Sequence, residues 1–215
     1  MSKYPRTYHL PWSEGATNDD RISHCIDSFL NTDIIITEKL DGENCGMTNN
    51  GVYARSHTAF TTSPWSVEVR NIHNMYIRNN LTDGFFIFGE NMEGIHSIEY
   101  TNLTSYFYIF AIRDNNIWLS WDDVEFYSKL LNLPTVPILF KGSVDSEEKL
   151  KNIIKNLMSS NSRFGGEIEG IVIRNSNNFI DNEFNENVIK YVRKDHVKTS
   201  DHWSKNWKKN LINYL

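Results

Sequence analysis

The sequence predicts an α+β fold built mainly on antiparallel sheets. Three observations carry this. Short β-branched or aromatic runs recur along the chain. Turn signals, rather than regular crossover helices, join most of them. The helical patterns between them are few and irregularly spaced. A chain of 215 residues that is 40% apolar and 13% aromatic can bury a core, which excludes wholesale disorder.

Asp19 to Phe29 reads as a short helix, and Asp33 to Thr37 (DIIIT) as a strand. Asn49-Asn50-Gly51 is a turn signal, so Asn44–Thr48 and Val52–Ser56 form a hairpin. Ser63-Pro64 opens a helix with Ser63 as cap and Pro64 as first helical residue; Trp65, Val69, Ile72 and Tyr76 then share a face. Phe85–Glu90 and Tyr106–Ile112 are near-continuous apolar strands. Ser120-x-x-Asp123 caps a helix running to about Leu131. Asp145-x-x-Glu148 opens the clearest helix, whose stripe of Leu150, Ile153, Ile154, Leu157 and Met158 is a core face. Gly170–Arg174 and Val188–Val192 are further strands. Residues 200–215 read as an aromatic-basic terminal helix.

No apolar run approaches the roughly 20 residues of a bilayer crossing, and the N-terminus lacks a signal-peptide pattern. The cysteines, Cys25 and Cys45, lie outside any CxxC spacing, which argues against a disulfide framework or structural zinc and fits a reducing compartment. The net charge of −5 hides an asymmetry. Val188 to Leu215 holds seven Lys/Arg against Asp195 and Asp201, on an otherwise acidic body. Such an end suits a polyanionic partner, or is simply a solvated basic helix.

The chemistry centres on Glu38-Lys39-Leu40-Asp41-Gly42-Glu43-Asn44, directly after a buried strand. A strand-end lysine is well placed for covalent catalysis. It must be neutral to attack, so burial or nearby cations should lower its pKa. The competing reading is a surface turn with a salt-bridging lysine.

Lys39-Leu40-Asp41-Gly42-Glu43-Asn44 has the form K-x-D-G-x-N, and further motifs follow in order. These are Phe88-Gly89-Glu90, the aromatic run Tyr106 to Phe110, Glu169-Gly170-Ile171-Val172-Ile173, and Lys190-Tyr191-Val192-Arg193-Lys194. In these residues the chain resembles the covalent nucleotidyltransferases, the superfamily of polynucleotide ligases and mRNA capping enzymes. Within it the chain is most similar to the RNA ligase 2-like group, through Pro5-Arg6-Thr7, Leu10-Pro11-Trp12-Ser13, His96-Ser97-Ile98-x-Tyr100, and His196-Val197-x-Thr199-x-x-His202-Trp203. Two positions depart from the family pattern. Ala111 stands where an acidic residue often follows the stacking aromatic, and the fifth motif is Lys190-x-x-Arg193-Lys194 rather than K-x-K.

The resemblance implies one adenylyltransferase domain over residues 1–215, without a separate OB-type domain, with the nucleotide in a groove between sheets and helices. It implies ATP-dependent ligation through a lysyl-AMP on Lys39 and an AMP-capped RNA end. Glu169 would help hold Mg²⁺ or Mn²⁺ through water, with Asp41 a second candidate ligand. Glu38, Leu40, Asn44 and Arg55 would line the nucleotide, Glu90 would bind the ribose, and Phe110 would stack on the purine. Lys190 would neutralise phosphate charge together with Arg193 or Lys194. The implied partners are ATP and RNA ends or a nicked RNA-containing duplex, the implied state a cytoplasmic monomer. A DNA ligase, a GTP-dependent capping-type enzyme and a non-catalytic nucleotide- or RNA-binding module remain alternatives. His57, His96 and His196 receive no chemical role, because a lone histidine is more often structural. At least one of Trp203 and Trp207 should pack on the body.

Overall fold

The computed structural model describes residues 3–55, 59–194 and 203–213. Its strands are β1 (Tyr8–His9), β2 (Asp33–Lys39), β3 (Glu43–Thr48), β4 (Gly51–Ala54), β5 (Phe85–Asn91), β6 (Phe107–Asp114), β7 (Ile117–Trp118), β8 (Ile138–Ser143), β9 (Gly170–Asn175), β10 (Phe179–Ile180) and β11 (Val188–Val192). Its α-helices are α1 (Val67–Ile72), α2 (Trp121–Leu130), α3 (Glu147–Met158) and α4 (Phe184–Asn187). One sheet runs β1-β11-β9-β2-β8 and the other β10-β7-β6-β5-β3-β4. Every pairing is antiparallel except β1 with β11, as the turn-rich sequence predicts.

Strand alternation distributes the apolar side chains over both faces of each sheet. In β2, Ile34 and Ile36 pack with Ile171, Ile173 and Ile189 under Leu150 and Ile154 of α3. Ile35 points the other way, into a core shared with Met47, Ile87, Ile109 and the helix residues Val69, Trp121 and Val124. Phe86, Phe88 and Trp118 use the second face of the six-stranded sheet, against Phe179, Phe184 and Val188. β2 is thus held on both faces up to its last residue, Lys39.

The predicted caps are close. Ser120 accepts from the Asp123 amide at the start of α2. The cap of α3 is Ser146, one residue beyond the expected Asp145. The Pro64 helix forms as a 3₁₀ turn, then α1, then a π turn over His73–Ile77, and Ser63 makes no side-chain cap bond.

Two helix expectations fail. Between Asp19 and Phe29 only Asp27–Phe29 is helical, as a 3₁₀ turn. The backbone groups ahead of it are spent on β1 instead: His9 N donates to Arg21 O and Ser23 N donates to His9 O. At the C-terminus, helical geometry among the described residues is confined to a 3₁₀ turn at Trp203–Asn206. Beyond it the chain extends, bridging Lys209 to Gly94 and Ile212 to Leu103. These long-range partners satisfy the backbone and remove the need for a helix. No helix among the described residues is long and apolar enough to cross a membrane.

Candidate active site at the end of β2

Lys39 is the last residue of β2, and β2 pairs Lys39 with Gly170, so the residue just before β9, Glu169, comes alongside. The Lys39 Nζ lies 2.8 and 2.7 Å from the two Glu169 oxygens. Glu169 is almost fully buried, whereas about a quarter of the lysine side chain remains exposed. Gly170 lets this happen: a side chain there would collide with the Tyr191 carbonyl of β11.

β3 then turns back and pairs with β5, setting Asn44 opposite Glu90. Gly42 is required at this corner, because a Cβ would stand 2.6 Å from Asn91 O and 2.9 Å from Glu90 Cγ. Asp41 fixes the same turn. Its Oδ2 accepts from the amides of Ser97 and Ile98, both at 2.7 Å, and its own amide donates to the Tyr100 hydroxyl. Asp41, expected as a candidate metal ligand, clamps this loop through Oδ2.

The electrostatics are unsettled in a way that marks functional sites. Burial pushes the Glu90 carboxyl up to about 8; Lys39 pulls against this, while Glu169 and Asp41 add to it. Burial likewise lowers Lys190 to about 8, and Lys39 and Arg55 lower it further against the pull of Asp20 and Glu169. Lys39 goes the other way from the expectation. Burial disfavours its charge, but Glu169, Glu90 and Asp41 outweigh burial and raise its pKa. As the protein stands, Lys39 is an ammonium locked to a carboxylate. The Asn44 Oδ1 is buried without a donor among the described residues.

Other expected residues divide. Phe110 is half-buried on β6. Its ring stands 5.0 Å from that of Tyr4, which also meets Phe88 (5.3 Å), Trp118 (5.4 Å) and Phe184 (5.2 Å). Sequence reasoning missed Tyr4, since a tyrosine three residues from the chain start carries no periodic signal. Arg55 is exposed after β4 and close enough to act on Lys190. Leu40 buries its side chain in the core, leaving only its backbone for a ligand. Glu38 is set against Ser162 and Arg163 rather than the Lys39 pair. Its pKa is raised by burial, and neither oxygen meets a donor at hydrogen-bond geometry.

Of the two candidates for the second motif-five cation, Arg193 holds Glu167 at 2.6 Å, and Lys194 is exposed. The basic terminal segment is also partly committed. Lys209 pairs with Glu68 at 2.6 Å and Glu93 at 3.5 Å, leaving Lys205 and Lys208 exposed. Trp203 and Trp207 both pack on Trp65, and Trp203 stacks on His96 at 3.8 Å. His57, His196 and the rest of the terminal signature up to His202 lie outside the described residues.

A divalent ion finds suitable chemistry here. Mg²⁺ and Mn²⁺ favour carboxylate oxygens, and Mg²⁺ is commonly held by one or two carboxylates completed by phosphates and water. Glu169 offers two oxygens once Lys39 releases them. Among the described residues no group of three or more His, Cys, Asp or Glu side chains is arranged around a metal, so substrate oxygens and water would have to complete the shell.

The sequence matches the RNA ligase family model over residues 32–192. No curated protein matches it. Among solved structures, the fold is similar to a Naegleria gruberi RNA ligase variant with ATP and manganese (TM-score 0.61, 18% identity, covering 94% of this chain and 59% of that one). It is also similar to an archaeal ATP-dependent RNA ligase (TM-score 0.58, 14% identity, 90% and 48%). A third similar fold is a putative ATP-dependent DNA ligase from Aquifex aeolicus (TM-score 0.56, 21% identity, 90% and 50%). This chain therefore spans about half to three-fifths of the length of these proteins.

Proposed function

The chain belongs to the RNA ligase family, and on that premise we propose that it is an ATP-dependent ligase joining 3′-hydroxyl and 5′-phosphate ends of RNA. The observation that carries this is the pairing of the Lys39 amine with Glu169 at 2.7 and 2.8 Å, within the fields of Glu90 and Lys190.

In the first step the neutral Lys39 amine attacks the α-phosphorus of ATP. An N–P bond forms, the bond to the bridging oxygen breaks, pyrophosphate leaves, and the amine loses a proton. Lys39 must first leave Glu169, whose charge now holds the proton on the amine. A divalent ion held through water by Glu169 would neutralise that carboxylate together with the phosphates. Lys190 offsets the negative charge that builds on the phosphate oxygens, with Arg55 and the exposed Lys194 as further cations. Phe110, backed by Tyr4, provides a flat apolar face for the purine. Glu90, with its raised pKa, can donate as well as accept toward ribose hydroxyls, and Asn44 offers a vacant acceptor beside it.

In the second step AMP passes from Lys39 to the 5′-phosphate. In the third a 3′-hydroxyl attacks that phosphate and AMP leaves. We assign Asp41 to holding the turn rather than to metal. Labelling with α-³²P-ATP tests the first step, and label surviving denaturation is the expected result. GTP labelling in its place would favour a capping-type enzyme, and no labelling a binding module. Nicked duplexes with ribose or deoxyribose at the last two 3′ positions test the substrate. Ribose should be needed, since RNA is distinguished by its 2′-hydroxyls and A-form shape. Equal sealing of all-DNA nicks would favour the DNA ligase reading.

A further inference from the structure

The segment before β2 reaches the site by a route that the motifs do not describe. β1 lies parallel to β11 and sets His9 beside Lys190, with the Leu10 amide donating to Lys190 O at 2.8 Å. His9 is 2% exposed. Its Nδ1 lies 2.8 Å from Ser13 Oγ, which itself accepts from the Val192 amide at 3.0 Å. The one Ser13 hydroxyl proton can go to Nδ1 or, at 3.4 Å, to Val192 O; when it goes to Nδ1, a neutral His9 carries its proton on Nε2. That Nε2 stands 3.3 Å from Asp20 Oδ1. The other carboxylate oxygen, Oδ2, accepts from the Thr17 amide and hydroxyl at 3.1 and 3.0 Å. Held at Oδ2 by Thr17, and with His9 Nε2 beside Oδ1, Asp20 stands 3.9 Å from the Lys190 Nζ, within ion-pair reach. Lys190 and Val192, two apart on β11, share a face, so the chain Val192–Ser13–His9–Asp20–Lys190 starts and ends on one strand.

We propose that Asp20, oriented by His9, is a positioning residue that fixes the Lys190 ammonium, in place and charged, over the nucleotide phosphates. This inference rests on the assignment of Lys190 to those phosphates. The groups facing Lys190 are Asp20 and Glu169 on the acidic side, Lys39 and Arg55 on the basic side. Glu169 is already paired with Lys39, and among the described residues Asp20 is the carboxylate within ion-pair reach of Lys190 that Lys39 does not hold. Through-space electrostatics alone would give the opposite expectation: removing a carboxylate near a triphosphate should help an anion bind. A positioning role predicts that its removal slows transfer.

The test measures single-turnover adenylylation of Lys39 over a range of ATP concentrations in the full chain, with melting temperature followed in parallel. Asp20→Asn keeps the shape and the Thr17 contacts, and should slow the step at saturating ATP roughly tenfold, the scale at which misplacing a charged group costs rate. Asp20→Glu should restore the rate to within about threefold, because it returns the charge. In a Lys190→Met background, Asp20→Asn should have no further effect, since both changes then act through one group. An Asp20→Asn rate within about twofold of wild type, equal slowing by Asn and Glu, or additive effects in the double variant would each overturn the proposal. Slowing that only tracks a lost melting transition would overturn it too. A wild-type rate in Lys190→Met alone would instead overturn the assignment of Lys190.

Discussion

Lys39 and Lys209 each meet carboxylates from distant segments at nearly the same distance: 2.7 Å to Glu169 for one, 2.6 Å to Glu68 for the other. Around Lys209 every charge is settled. Glu68 is lowered and Lys209 raised, chiefly by their hydrogen bond to each other. Buried Glu93 accepts from the Glu68 amide, and Asn210 anchors the segment to Met92 O. Around Lys39 the charges conflict. Glu90 and Lys190 are both displaced toward neutrality by burial. The same residue pair thus serves as a rivet where the neighbouring charges agree, and as latent chemistry where they conflict.

The largest expected effect separates the two lysines outright. Lys39→Ala should abolish protein-bound AMP while the melting transition persists, and Lys39→Arg should be equally inactive because a guanidinium stays protonated. Lys209→Ala should label normally. Label surviving denaturation in Lys39→Ala would break the comparison. Next, Glu169→Gln keeps shape and removes charge, and should slow adenylylation by about 10²-fold or more, the loss typical of a key electrostatic group. Full activity in that variant would sink the metal-holding role. Phe110→Ala should raise the KM for ATP on the order of tenfold, matching the ~1 kcal/mol worth of an aromatic contact plus lost area.

The pH dependence of stability sharpens the contrast further. Glu90 rises from 4.5 to about 8 on folding. The folded state therefore holds a proton that the unfolded state has released between those values. Its contribution to stability is complete below about pH 4.5 and is lost as pH rises toward 8. Glu90→Gln should remove that decline and leave the protein more stable than wild type near pH 8. Urea unfolding at pH 6 and pH 8 measures it, and an identical slope in the variant would contradict the buried-acid assignment. The smallest effect is Lys209→Ala, a partly exposed pair whose loss should cost at most about 1 kcal/mol by the same assay.

Much of this was legible in the one-dimensional pattern. Runs such as DIIIT and GIVIR have nowhere to go but a buried sheet; they are local, so the sequence by itself determined them. The order of Lys39, Glu90, Glu169 and Lys190 pointed to one cluster only through its resemblance to the nucleotidyltransferases. Why Gly42 and Gly170 are glycines shows only in the fold, where distant segments approach too closely for any side chain. Only the tertiary structure decided the helix over residues 19–29 that does not form, the terminal segment that extends along Gly94 and Leu103, Asp41 as clamp, and Arg193 paired with Glu167. It alone brought Tyr4 to Phe110 and Asp20 to Lys190. The physical reason is the same in each case. A backbone amide or a charge takes whichever partner the fold brings within reach, and a partner 170 residues away leaves no trace in local propensity. Even the direction of the Lys39 shift followed this rule: burial, which the strand pattern foretold, was outweighed by carboxylates that only the paired sheets could deliver.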